Sequence, residues 1–176
     1  MSAVIVLLLI LVVVWFVLGR ERREAKKLGA KLHTAAMHLY GVPGLGQKEI
    51  VKLFFADDRL IIRAKKRTFE LNYEKLTAIK AAKETDLIKA DKSVLGRAAV
   101  GGLVLGPLGA IVGGMSAVGG KKNVRGELLI LNYLPDGKSE PQPIIFNLRK
   151  MSNPKRIEKF VTDRRPELVE PNFVTL

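Results

Sequence analysis

Sixteen consecutive residues, 3–18, carry no polar side chain, and this run constrains the chain more than any other feature. With Met1, Ser2 and Gly19 it makes about nineteen residues, which as a helix rising ~1.5 Å per residue reach about 28 Å, close to the ~30 Å hydrocarbon core of a bilayer. A secretory leader fits less well. No positive charge precedes the run, and Phe16, Val17, Leu18, Gly19 and Arg20 offer no small-x-small cleavage site. A buried core helix fits less well still, since no face of the run is polar. Residues 1–19 are therefore expected to form a transmembrane helix. Only Met1 and Ser2 lie on one side of it, whereas Arg20, Arg22, Arg23, Lys26 and Lys27 follow on the other, with Lys31 just beyond. Basic flanks stay cytoplasmic, so the expectation is a single-pass protein of the cell membrane, N-terminus outside and C-terminal domain cytoplasmic. Trp15 and Phe16, near the inner end, suit the interface.

Beyond the run, Ala25, Leu28, Leu32, Ala36 and Leu39 recur at spacings of three and four, which predicts a basic juxtamembrane helix over residues 20–40. Its six basic residues outnumber two acidic ones. Near an anionic leaflet each such cation adds about 1 kcal/mol, although the same charges also serve simply to fix orientation. Gly41, Pro43, Gly44 and Gly46 then mark a linker over 41–46.

The whole chain of 176 residues carries a net charge of +13, which favours an anionic partner: a lipid surface or a nucleic acid. An anchor makes lipid the simpler choice, and no reading helix or stacking-aromatic motif speaks for nucleic acid. Cysteine is absent, which excludes disulfides, thiolate chemistry and zinc fingers. His33 and His38, five apart on the predicted helix, read as helix-surface residues rather than metal ligands. Asp57 and Asp58 read as a turn pair, and Gly101-Gly102 lacks the Gly-Lys-Ser/Thr of a phosphate loop. No catalytic order of Ser, His and Asp is present, so the expectation is a non-enzymatic chain without metal or cofactor.

The soluble domain is expected over 47–165. Strand patterns occupy 50–55, 60–63, 68–73, 76–83, 127–134 and 143–148, with turns at 56–59, 65–67 and 135–138. Asn153 is an N-cap followed by Pro154 at the favoured first position, and Ile157, Phe160 and Val161 make an apolar stripe before Arg164 and Arg165. Residues 166–176 form a loosely ordered tail. The fold class is α+β: a small antiparallel sheet or open barrel closed by a C-terminal helix.

The segment Leu60-Ile61-Ile62-Arg63, a basic turn, then Phe69-Glu70-Leu71-Asn72-Tyr73-Glu74-Lys75-Leu76-Thr77-Ala78-Ile79 resembles the middle of a bacterial PH-like domain, related in fold to the GRAM and pleckstrin-homology groups. The helix after Asn153 is similar to the C-terminal helix of those domains. The resemblance covers about two-thirds of the soluble part, and the chain departs from it by a long insertion. It implies that the basic turn Arg63, Lys65, Lys66 and Arg67 is a place where anionic headgroups are held; ordinary solvated turn charge is the alternative. Arg20, Arg22, Arg23, Lys26 and Lys27 join these as candidate lipid-binding residues.

The insertion, 93–120, is rich in glycine. Ala98, Gly102, Gly106, Gly109, Gly113, Ala117 and Gly120 step by three or four, so on a helix they form one smooth face that lets backbones approach closely in lipid. The spacing is similar to glycine-zipper segments of bacterial membrane proteins. Lys89 and Lys92 precede it and Lys121, Lys122 and Arg125 follow it, so both flanks belong in the cytoplasm. A single crossing would split the sheet. The expectation is a membrane-associated helical hairpin turning near Pro107, with packing on protein as the alternative. Together these features predict a membrane-anchored module that binds anionic lipid or scaffolds a membrane protein complex, with self-association through the small-residue face. A glycine-zipper pore and a membrane-tethered nucleic-acid binder are the alternatives.

Overall fold

The structure, a computed structural model, describes residues 2–83, 127–148 and 152–168; within the first helix, side chains are described at 5–8 and from Gly19 onward. Helix α1 runs unbroken over Ser2–Lys27. Gly29 ends it with φ +66, the left-handed conformation that glycine adopts at no steric cost. The Ala30 N–H donates to the Ala25 carbonyl at 2.9 Å and the Gly29 N–H to the Lys26 carbonyl at 3.2 Å, the paired bonds of a Schellman cap. Among the described residues no helix is long and apolar enough to cross a membrane. The side chains of 9–18, most of the expected span, lie outside the described residues.

The helix expected over 20–40 therefore stops at Lys27, and Leu32–Tyr40 is instead strand β1. Leu32 and Ala36 are four apart, a spacing that suits one helix face and also one strand face, because it is even. Both point into the main core, whereas His33 and Ala35 between them are exposed. His33 and His38 are accordingly strand residues; His33 is exposed, and His38 is buried, not on a helix surface.

The six strands expected downstream form with ends within one residue of expectation: β2 Ile50–Phe55, β3 Arg59–Ala64, β4 Arg67–Asn72, β5 Leu76–Lys83, β6 Glu127–Tyr133 and β7 Gln142–Leu148. They join one antiparallel sheet in the order β4-β3-β2-β1-β7-β6-β5. β1 is its middle strand, so the domain begins well before residue 47, and the expected linker 41–46 is an internal loop. That loop crosses close to β7: a Cβ on Gly41 would lie 1.9 Å from the Pro143 carbonyl oxygen, and its φ is +95. The buried His38 ring holds the loop from β1, Nδ1 facing the Gly46 carbonyl at 2.9 Å and Nε2 accepting the Val42 N–H at 3.2 Å.

Helix α2, Pro154–Thr162, begins as its sequence predicts, with the Asn153 side chain accepting the Lys155 and Arg156 N–H groups. Its Ile157 and Val161 enter the core among Leu53, Phe55, Leu60, Ile62, Leu129 and Phe146. α2 packs on β5 and β6, and Glu158 accepts the Ala81 N–H at 3.1 Å, so the helix caps the β5 edge. Arg164 stacks 3.5 Å from the Phe160 ring centroid and donates to Asp57 at 2.6 and 3.0 Å, tying the end of α2 to the β2–β3 turn. A 3-10 turn follows at Pro166–Leu168; the rest of the expected tail lies outside the described residues. So does the whole of 84–126, with the glycine-rich insertion and its residues Ala98, Gly102, Gly106, Gly109, Gly113, Ala117 and Gly120.

Candidate anionic-ligand cleft

β2 and β3 bury both faces. Leu53, Phe55, Leu60 and Ile62 point into the core, while Phe54 and Ile61, paired across the strands, point outward and are also buried. Their cover is the last turns of α1, with Ala25, Leu28 and Ala30 in the same apolar cluster. Glu21, Glu24, Ala25 and Leu28 follow the i, i+3, i+4, i+7 spacing of one helix face. Two carboxylates and two apolar groups thus meet the outer face of the sheet together.

Two pairs along from Phe54 and Ile61, on the same face of the sheet, Lys52 stands directly opposite Arg63. Like charges directly opposite one another destabilise a strand pair. The α1 carboxylates offset this. Lys52 Nζ lies 2.8 Å from Glu21 and 3.9 Å from Glu24, and Arg63 Nη1 donates to Glu24. Arg63 also stands over the Phe54 ring, 5.8 Å from its centroid, with His33 stacked on the same ring. All four charged groups remain partly exposed, so these ion pairs orient the side chains more than they stabilise the fold.

Between helix and sheet lies a cleft of about 530 Å³ lined by Arg20, Glu21, Arg23, Glu24, Lys27, Lys52 and Arg63. It combines five cations with two carboxylates, and the helical spacing sets Arg20, Arg23 and Lys27 along one flank of the docking face. Among the described residues these three have no carboxylate partner. A concave site rich in arginine, with forked guanidinium donors, suits phosphate or carboxylate oxygens. Among the described residues no three His, Asp or Glu side chains are grouped to hold a metal ion.

The candidate residues divide around this cleft. Arg63, Arg20, Arg23 and Lys27 line it. Arg22 and Lys26 are exposed on α1 but do not line it. Lys65 and Lys66 form the exposed β3–β4 turn, and Arg67 donates to the Gly44 carbonyl of the 41–49 loop. From Leu28 back to Glu21, α1 passes from Phe54 toward Lys52, so it leaves the sheet toward the end that carries the Lys65–Lys66 turn. Lys52 escaped notice in the sequence. Its signal was a lone charge in the apolar run 50–55, which the turn at 56–59 sets opposite Arg63.

Asp57 and Asp58 occupy the turn as expected. The Arg164 hydrogen bond holds the Asp57 carboxyl below its usual range, opposed in part by desolvation and aided by the charges of Lys31 and Arg164. Burial pushes the Tyr73 phenol well above its ordinary value; its hydroxyl donates to the Ala56 carbonyl at 3.1 Å.

Among curated proteins none matches the chain. A family model described as a glycine zipper containing PH domain matches residues 44–131. That stretch holds Lys52 and Arg63, whereas the α1 wall of the cleft precedes it. PH-like domains are generally non-catalytic and commonly bind lipids or proteins. With a seven-stranded antiparallel sheet and a closing helix among the described residues, and with half of its length matched, the chain belongs to the family of glycine-zipper-containing PH domains.

Proposed function

We propose that this chain is a membrane-tethered, non-enzymatic PH-like module that takes the headgroup of an anionic lipid in the cleft between α1 and the sheet. In this reading the apolar part of α1 spans the bilayer with the N-terminus outside, and the sheet hangs beneath the cytoplasmic leaflet. The observation that carries it is the turn Ile5, Val6, Leu7 and Leu8. These four residues point around most of the helix circumference, and each is more than half exposed, so no side of that turn rests on the domain. In water such a turn leaves apolar surface uncovered; in lipid it is at home. The same rigid helix delivers Arg20, Arg23 and Lys27 to the cleft, at the depth where headgroup phosphates begin. The stripe of small residues from Ala98 to Ala117 supplies, in this reading, the surface for self-association or for a membrane-protein partner; its support is the sequence spacing alone.

Fractionation of cells expressing the full chain tests the tether. The protein is expected to stay in the membrane pellet through an alkaline carbonate wash, and a reporter fused after Leu176 to be active only inside the cell. Recovery in the supernatant, or a reporter active only outside, would overturn the proposal.

A further inference from the structure

Resting on the lipid-binding reading, we propose that the cleft selects phosphomonoester headgroups over phosphodiesters, and that Glu21 and Glu24 impose this selection. Two of the five cations are already engaged: Lys52 by Glu21 and Glu24, Arg63 by Glu24. Arg20, Arg23 and Lys27 remain open to a ligand. A phosphodiester brings a single negative charge and two free oxygens. It can meet the helix cations, but it sits beside two carboxylates and has nothing with which to displace them from the strand pair. A phosphomonoester brings roughly 1.5 to 2 negative charges and three acceptor oxygens at pH 7. It can replace the carboxylates at Lys52 and Arg63 while also engaging the arginines of α1. The strand pair favours the exchange, because two cations fixed opposite one another by β-sheet register need a dense counter-charge whichever group provides it. The volume of the cleft lies within the range of small-ligand sites, ample for a single headgroup.

The full chain, purified in neutral detergent and offered equal amounts of phosphatidic acid, phosphatidylglycerol and phosphatidylcholine, is examined for retained lipid by native mass spectrometry. Phosphatidic acid is expected to be retained at least about threefold over phosphatidylglycerol, in line with one extra ion pair to a partly exposed cation. Glu21→Gln with Glu24→Gln is expected to bring that ratio toward one by raising phosphatidylglycerol retention. Arg23→Gln, at an exposed position, is expected to lower both. Glycerol 3-phosphate at millimolar concentration separates the two sources of a phosphomonoester: displacement of phosphatidic acid assigns the site to a soluble ligand, and persistence assigns it to the lipid. Equal retention of the two anionic lipids by the unaltered chain, or an unchanged ratio in the glutamine variant, would overturn the selectivity and leave the lipid-binding reading standing. Retention of neither above phosphatidylcholine would overturn that reading itself.

Discussion

His38→Leu offers a direct measure of how firmly the 41–49 loop is held. Leucine has nearly the volume of the imidazole, so packing against Phe146, whose ring centroid is 6.0 Å away, changes little. What is lost is polar. The Val42 N–H, buried and bonded to Nε2, loses its acceptor, at about 1–3 kcal/mol for an unsatisfied buried donor. The partly buried Gly46 carbonyl loses its Nδ1–H donor, adding about 1 kcal/mol. The sum, about 2–4 kcal/mol, corresponds for a chain of this size to a fall in Tm of about 4–16 °C. Thermal unfolding of the full chain followed by circular dichroism reads this, and hydrogen exchange at Val42 should accelerate in the same variant. His38→Gln, which retains a donor and an acceptor, is expected to recover part of the loss. A leucine variant that melts within a degree of the parent, or a glutamine variant no better than leucine, would refute the idea that the ring works as a two-sided clasp.

The Tyr73 phenol is neutral and buried with a raised folded pKa, so its stabilising contribution is whole below the ordinary tyrosine value near 10 and is lost as pH rises toward the folded value. Urea midpoints should therefore fall above about pH 10, and Tyr73→Phe should flatten that limb while costing about 1 kcal/mol at neutral pH. Asp57 has the opposite sign: its folded pKa is lowered, so its contribution is present above the ordinary aspartate range and disappears as pH falls through the folded value. Arg164→Gln should remove that acid limb in a pH series of melts. Asn132 is fully buried on β6 with no hydrogen-bond partner for its amide oxygen or nitrogen among the described residues. Asn132→Leu should raise stability by about 1–3 kcal/mol, measurable as a higher urea midpoint; a lower midpoint would show that the amide is bonded.

The downstream sheet was legible because each element carried its own punctuation. Lys65 and Lys66 separate β3 from β4, the Pro135–Gly137 turn separates β6 from β7, and Asn153-Pro154 opens α2. β1 was missed for a physical reason. Leu32 and Ala36 satisfy two periodicities at once, and the stop signal lay in Gly29, which follows two lysines as a helix C-terminus should. Half of the cleft was legible as a charge cluster after an apolar run. The other half required register: Lys52 and Arg63 are eleven residues apart, and only the β2–β3 pairing makes them neighbours. The separation of Arg63 from Lys65, Lys66 and Arg67 follows from the same strand geometry, since alternation and the two-residue turn send adjacent cations to different surroundings.

Only residues 28–31 separate α1 from β1, and β1 is laced to β2 on one side and β7 on the other. Tension arriving through the helix is consequently shared between two ladders at the centre of the sheet and does not peel an outer strand bond by bond. With the Lys31 N–H already bonded to the Phe55 carbonyl, there is little slack to take up before that load is felt. Such a joint transmits the tilt of the helix to the whole sheet, as a rigid bracket would.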